Sequence, residues 1–212
     1  MYAWEFSETA TSLKESKGAR EQGRKNLNQN DIIAAFISDI KQILAADPEQ
    51  GNDLTPIAER MRKLVADPSI RNWQEEPPTG NVHSGQQSRP LYQDESGLTL
   101  MHARFGPEAM TPIHNHNSWA IIGVYRGQDL YQKWRRIDTG NEAGKAQVEL
   151  IEEYVLKPGD VAVVPAPPQD IHAQQGFANE AAYELVLFGS NPAGQPRLYF
   201  DPAQETAYTA QQ

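Results

Sequence analysis

Histidine side chains are the residues of this sequence with the clearest capacity for chemistry. The 212-residue chain contains five of them and no cysteine, and the segment TPIHNHNSW places His114 two residues before His116. Residues i and i+2 of a β-strand point to the same face, so an extended segment would let both imidazoles reach one metal ion. The alternative is chance proximity of two surface histidines, because an isolated H-x-H pair is a weak motif. The lack of cysteine excludes disulfides, thiolate nucleophiles and cysteine-ligated metal sites.

The residues that follow the pair favour the metal interpretation. An apolar run and Gly127 come after His116, and further along lies the segment PGDVAVVPAPPQDIHAQQG, which contains a turn, a short strand and His172. This arrangement resembles the two-motif pattern of the cupins. The resemblance implies that the two motif strands lie side by side in a barrel, so that His114, His116 and His172 converge on one metal ion.

The ligand set implied by this resemblance is neutral. Many cupins add a glutamate four or five residues after the second histidine, and this sequence has Ala120 and Ile121 at those positions. We therefore expect three imidazoles on one side of the metal, with positions left for water, substrate and O₂. A neutral ligand set leaves the full charge of the dication to attract an anionic substrate atom. Imidazole suits several metals, so Zn, Ni and Mn stay open beside Fe(II).

Three-histidine cupins without the glutamate include the thiol dioxygenases, and the resemblance extends to that family. It covers roughly residues 85–203 and rests on TPIHNHNSWAIIGVYRG, QDIHAQQGFANE, GSNPAGQPRLYFDP and QSRPLYQD. In the last segment, Arg89 stands where the family has its substrate-carboxylate arginine, although an arginine in a linker is usually a surface charge. The resemblance implies an Fe(II) enzyme that binds a small thiol carboxylic acid and O₂ and adds both oxygen atoms to sulfur, with Arg89 clamping the carboxylate.

One strand departs from that family, which has Ser, His and Tyr at alternate positions facing the metal. In YELVLFGS those positions hold Glu184, Val186 and Phe188 or, in the register shifted by one residue, Tyr183, Leu185 and Leu187. Neither register reproduces the triad, so Glu184, Tyr183 and Tyr199 are the candidates to replace its polar groups. We expect L-cysteine not to be the best substrate, because an apolar wall disfavours a charged ammonium group.

Two other functions stay open at this point. The first is a three-histidine cupin enzyme that acts on a small molecule other than a thiol. The second is a non-catalytic barrel that binds a small ligand. Of the two histidines outside the motif, His102 is expected to be a hydrogen-bonded strand residue near the barrel mouth, and His83 a solvated residue of a linker.

Composition restricts the partners. The chain has 28 acidic and 19 basic residues and a net charge of −9, which argues against a nucleic acid or an anionic membrane surface as partner. It has no apolar stretch of membrane-spanning length, and its N-terminal segment lacks the apolar region of a signal peptide. We expect a cytoplasmic protein with a small-molecule substrate and O₂ as its partners, and the oligomeric state is left open.

Two helices and a set of short strands must position these residues. Apolar residues recur at helical spacing from Asn30 and Asp31 to near Ala46, and a second helix is predicted from Thr55, with Pro56 in its first turn. After a polar linker over 75–87 the apolar period changes to two residues. Strands are predicted within 98–105, 118–127, 129–137, 148–156, 160–165 and 183–189.

Together these elements predict an all-β cupin double-stranded β-helix (a jelly-roll barrel) preceded by an N-terminal helical segment, α+β overall. The predicted divisions are a polar segment with two helices over 1–80, the barrel over 85–205, and a polar tail over 206–212. The helices are expected to pack on the barrel and to cover its edge strands.

Overall fold

Helices form the first part of the chain. The computed structural model describes residues 28–46, 53–77, 86–193 and 195–209. It contains the helices α1 (Gln29–Ala46), α2 (Thr55–Val65) and α3 (Pro68–Arg71). The two predicted helices are confirmed, and the short α3 was not predicted. The Asp67 side chain caps α3 by accepting a hydrogen bond from the Ser69 N–H at 2.8 Å.

Strands make up most of the remaining described chain. They are β1 (Gln87–Gln93), β2 (Thr99–Phe105), β3 (Ile113–His114), β4 (Ala120–Arg126), β5 (Asp129–Arg136), β6 (Val148–Leu156), β7 (Val161–Val164), β8 (His172–Gly176), β9 (Ala182–Phe188), β10 (Leu198–Asp201) and β11 (Thr206–Thr209). The six strands expected from alternation are present. The first residues of the predicted polar tail, Thr206–Thr209, form β11 against β10. Strands β3 and β8 are short or polar, which explains why alternation did not reveal them.

The strands form two antiparallel sheets. One has the order β1-β2-β9-β4-β7, and the other β11-β10-β3-β8-β5-β6. Their inner faces enclose a core that includes Phe105, Ile122, Val124 and Val186. The predicted jelly-roll barrel with a preceding helical segment is therefore confirmed.

The helices cover the outer face of the five-stranded sheet, including its central strands, and not only its edges. Phe36 and Ile40 of α1 and Met61 of α2 belong to one buried cluster with Ile121 of β4 and Leu185 of β9. Close approach requires Gly123 in β4, because a β-carbon there would lie 2.7 Å from Val65 Cγ1 and 2.8 Å from Met61 Cγ. None of the helices in the described ranges is long and apolar enough to cross a membrane.

Candidate metal centre

Two neighbouring strands and the loop after one of them bring three histidines together. His114 in β3 lies directly opposite His172 in β8, and His116 follows two residues after His114. All three side chains are buried. Nε2 of His116 lies 3.1 Å from Nε2 of His114 and 2.9 Å from Nε2 of His172. The convergence expected from the sequence is therefore present in the structure.

These separations fit one divalent metal ion. Two imidazole nitrogens that each bind an ion at about 2.1 Å, and meet it at a right angle, lie about 3.0 Å apart. The two distances to His116 Nε2 match that value, and the ligand atoms of all three histidines lie within 4.8 Å of one another. In the described part of the chain this is the one group of three or more ligand-type side chains close enough to share an ion. Ala120 and Ile121, where many cupins have a glutamate, are buried apolar residues of β4, so the ligand set is neutral.

The protonation states of the histidines suit metal binding. Burial, with a smaller contribution from the nearby Arg197, lowers the pKa of His114 to about 4. Burial also lowers the pKa of His116 and His172 well below the usual value. The three rings are thus neutral at pH 7. The Pro112 carbonyl lies 2.8 Å from His114 Nδ1; a carbonyl only accepts, so Nδ1 carries the proton and Nε2 keeps its lone pair for a metal.

Two buried partners hold the histidines in place. The Tyr131 hydroxyl lies 3.2 Å from His172 Nδ1. One carboxylate oxygen of Asp170 accepts hydrogen bonds from the backbone N–H groups of His116, at 3.0 Å, and Asn117, at 2.7 Å. Asp170 thereby fixes the loop that carries the second histidine.

A small cavity adjoins the three histidines. Its volume is about 60 Å³; one water needs about 10–15 Å³ on this measure, so the cavity suits a ligand of about four to six non-hydrogen atoms. Besides the histidines, its lining residues are Gln86, Ser88, Met101, Ala103, Phe105, Ile122, Gln174, Val186, Phe188, Pro192 and Arg197. Most of the wall is apolar, and Arg197 is the one cationic side chain among the described residues that line it.

The structure does not bring Arg89 to the histidines, which corrects the role expected for it. Arg89 lies in β1, not in a linker, and faces outward opposite His102 of β2. Its guanidinium lies 2.8 Å from a Glu75 carboxylate oxygen and above the ring of Trp73. Because side chains alternate along a strand, the neighbouring Ser88 lines the cavity instead.

Arg197, and not Arg89, lies at the cavity beside the histidines. It directly precedes β10, lines the cavity, and its buried Nε has no hydrogen-bond partner among the described residues. Burial lowers its pKa, which Tyr199 partly offsets. Sequence reasoning missed this arginine because residues 190–197 have no periodic pattern. The sequence did contain one indication of this arginine, because Arg197 lies in GSNPAGQPRLYFDP, one of the segments on which the resemblance to the thiol dioxygenases rests.

Strand β9 adopts the first of the two registers considered. Val186 and Phe188 line the cavity, and the Phe188 ring centroid lies 4.8 Å from that of His116. The Tyr183 hydroxyl instead donates to Glu76 outside the barrel, so it does not replace the missing tyrosine. The Tyr199 ring stacks on that of His114, with centroids 6.0 Å apart.

Glu184 lies inside the barrel, but it is not in the cavity wall. It is fully buried and accepts a hydrogen bond from Gln174 Nε2 at 3.1 Å. Burial raises its pKa well above the usual value, and the fully buried Asp129 raises it further. Burial raises the pKa of Asp129 to about 8. The two fully buried carboxyl groups interact electrostatically and are called the buried acid pair below.

His102 is a buried strand residue away from the metal centre. Its Nε2 lies 2.7 Å from the Tyr125 hydroxyl, and its ring stacks on Trp73 with centroids 4.3 Å apart. The predicted hydrogen bond is confirmed, but the predicted location near the barrel mouth is wrong, because His102 faces the helices. His83 lies outside the described residues.

Solved structures of known proteins resemble this fold. One of oxalate oxidase is 22% identical with a TM-score of 0.44, over 56% of this chain and 58% of the other. A cupin-like protein from Thermotoga maritima is 19% identical with a TM-score of 0.44, over 62% and 95% of the two chains. KdgF from a Halomonas species is 18% identical with a TM-score of 0.38, over 52% and 85%.

The matched region spans less than two thirds of the oxalate oxidase chain. No protein-family model matches the sequence. The antiparallel two-sheet barrel and the three converging histidines nevertheless define a class, which is a jelly-roll barrel with a candidate metal centre.

Proposed function

We propose that this protein is a mononuclear Fe(II) oxygenase that converts a small thiol carboxylic acid to its sulfinate. The observation that carries the proposal is the position of Arg197, a cation in the wall of the cavity that the three neutral histidines adjoin. A metal ion binds a thiolate and lowers the pKa of the thiol. A guanidinium pairs with a carboxylate. The cavity thus offers one binding group for each end of a mercapto acid.

His114, His116 and His172 would hold the iron through Nε2. When bound, Fe(II) supplies thiolate coordination and the activation of O₂. Arg197 binds the carboxylate and fixes the orientation of the chain between the two ends, which is a positioning contribution to the rate. The apolar wall, including Val186 and Phe188, excludes water from the sulfur. In the overall reaction the thiolate gains both atoms of O₂, and sulfur is oxidised as O₂ is reduced.

A second candidate is a three-histidine oxygenase for an acid that is not a thiol. The observation that favours it is Phe188, which packs against His116 where the thiol dioxygenases have a tyrosine. Phe188 cannot donate the hydrogen bond that a tyrosine hydroxyl gives to a bound substrate.

Reconstitution with iron tests the proposal. The purified protein is loaded anaerobically with Fe(II), and O₂ uptake is followed with 3-mercaptopropionate, L-cysteine and larger mercapto acids, with the sulfinate identified by mass spectrometry. We expect one O₂ consumed per sulfinate formed, and no activity in His114→Ala and His172→Ala, which should also lose most of their iron. O₂ uptake without sulfinate, or only with acids that lack a thiol, would favour the second candidate.

A further inference from the structure

The two asparagines of the segment His114-Asn115-His116-Asn117 bind the chain on either side of Arg197. Asn117 Nδ2 donates to the Pro196 carbonyl at 2.6 Å. Asn115 Oδ1 accepts from the Leu198 backbone N–H at 2.9 Å, and the Asn115 backbone N–H donates to the Leu198 carbonyl at 3.2 Å. Three hydrogen bonds therefore attach the residues flanking Arg197 to the segment that carries two of the histidines.

The asparagines are themselves held in place. Asn115 Nδ2 donates to Asn117 Oδ1 at 2.9 Å, and Asp170 accepts from the Asn117 backbone N–H. Asn117 has a φ of 55°, a left-handed conformation that asparagine tolerates better than most residues. The attachment is thus part of a hydrogen-bonded unit and not a single exposed contact.

The side chain of Arg197 has few contacts of its own to define its direction. Its Nε has no hydrogen-bond partner among the described residues, and its side chain has one hydrogen-bonding neighbour, Tyr199, which favours its charged form. The direction of the guanidinium therefore depends on Tyr199 and on the backbone from Pro196 to Leu198, which the two asparagines hold.

We infer that Asn115 and Asn117 are positioning residues that set the affinity of the site for the substrate carboxylate by holding Arg197 at the cavity. This inference rests on the proposed role of Arg197 in binding a carboxylate. One four-residue segment would then build both halves of the site, since its histidines hold the metal and its asparagines hold the cation that binds the other end of the ligand.

Binding of two matched thiols to the Zn(II)-loaded protein tests the inference without redox chemistry. The probes are 3-mercaptopropionate and its neutral amide, 3-mercaptopropionamide, measured by calorimetry under anaerobic conditions. The ratio of their dissociation constants reports the contribution of the carboxylate alone. We expect Asn117→Gly, which tolerates the positive φ but cannot bind Pro196, to reduce the preference for the acid about 5- to 20-fold. The amide affinity and the zinc content should stay unchanged.

A double-mutant cycle separates positioning from a general structural effect. In an Arg197→Met background, Asn117→Gly should change the acid-to-amide ratio less than about 2-fold, because the cation that it positions is gone. Asn115→Ala should behave as Asn117→Gly does. The matched control is Asn191→Gly, which removes an asparagine that binds the Ala193 N–H at 2.9 Å in the preceding loop; it should leave the ratio unchanged.

The outcomes distinguish the inference from the proposed function. If Arg197→Met leaves the ratio unchanged, both are wrong. If Arg197→Met reduces the preference for the acid but neither asparagine variant does, only the inference is wrong. The inference is also wrong if Asn117→Gly still changes the ratio in the Arg197→Met background. Loss of zinc from both asparagine variants would overturn it as well.

Discussion

A comparison of two arginines tests, at the scale of single residues, which of them binds the substrate carboxylate. Arg197 lines the cavity, whereas Arg89 pairs with Glu75 on the outer face of β1. Arg197→Met should raise KM for 3-mercaptopropionate about 10- to 150-fold, from the roughly 1.5–3 kcal/mol of a charged hydrogen bond. Arg89→Met, the matched control, should change KM less than about 2-fold. The measurement is steady-state O₂ consumption by the iron-loaded variants, and a larger effect at Arg89 would contradict our assignment.

The position of Phe188 leads to a second prediction, which concerns the choice of substrate. Its ring lies against His116 in the apolar cavity wall, so a charged ammonium near it would lose hydration without a partner. We expect kcat/KM for 3-mercaptopropionate to exceed that for L-cysteine. Phe188→Tyr, which adds one hydroxyl, should raise kcat/KM for L-cysteine by about 2- to 10-fold, while Phe105→Tyr serves as a control elsewhere in the wall. L-cysteine as the best substrate of the unaltered protein would refute this reading of β9.

The buried acid pair makes the stability depend on pH. Burial raises the pKa of Asp129 to about 8 and that of Glu184 well above its usual value. The folded state therefore holds protons more tightly than the unfolded state. The stability that the protons confer is complete below the unfolded pKa near 4 and is lost as pH rises through the folded pKa. Each proton changes the free energy of unfolding by about 1.4 kcal/mol per pH unit in that window.

Asp129→Asn with Glu184→Gln should remove this dependence. We expect the free energy of unfolding of the wild type to fall relative to that of the double variant between pH 5 and pH 8, measured by urea denaturation of the metal-free proteins. The buried histidines have depressed pKa values and act in the opposite direction, but they are present in both proteins and cancel in the difference. A constant difference across this range would show that the two carboxyl groups titrate normally.

At the scale of elements, the contact between α2 and β4 depends on one missing side chain. A β-carbon on Gly123 would come within 2.7 Å of Val65 Cγ1, so Gly123→Ala should lower the free energy of unfolding by about 1–3 kcal/mol. Val65→Ala removes this contact, although Met61 Cγ would still lie 2.8 Å from the added β-carbon. The double variant should therefore lose less stability than the two single variants summed, as measured by denaturant unfolding. Strict additivity would mean that the helix shifts to accommodate the methyl group.

The sequence predicted the elements with strong periodicity and missed those without it. The pattern Ile33, Phe36, Ile37 and Ile40 predicts α1, since these side chains form its buried face. By contrast, β8 reads HAQQG, in which polar residues face the interior because they belong to the site. Alternation therefore fails where the strands carry chemistry.

The candidate site was predictable as far as its local motifs extend. The three histidines converge because β3 and β8 pair in register, and the motif spacing contained that information. Local motifs did not show which of the two arginines, Arg197 or Arg89, lies at the cavity. Their positions relative to the cavity depend on strand alternation in β1 and on hydrogen bonds that join Asn115 and Asn117 to residues distant in sequence.

At the scale of the whole molecule, metal binding and folding should be coupled. The three imidazoles are neutral and preorganised in the folded state, so an ion that binds them stabilises that state by mass action. At a free metal concentration about 100 times the dissociation constant, the gain is about 2.7 kcal/mol. We expect Tm to rise on addition of Fe(II) or Zn(II) and to be restored by a chelator. His116→Ala is the control, and its Tm should not change when the metal is added. An equal rise in the Tm of that variant would mean that the ion binds elsewhere.

Strand β9 has a two-sided character with a practical consequence for engineering. Leu185 and Leu187 pack against the helices, whereas the residues between and after them, Val186 and Phe188, face the cavity. Positions 186 and 188 of this strand should thus affect ligand choice, and positions 185 and 187 should affect stability. A combinatorial library restricted to residues 186 and 188 can diversify substrate preference while the helix layer stays intact, so most of its members should remain folded.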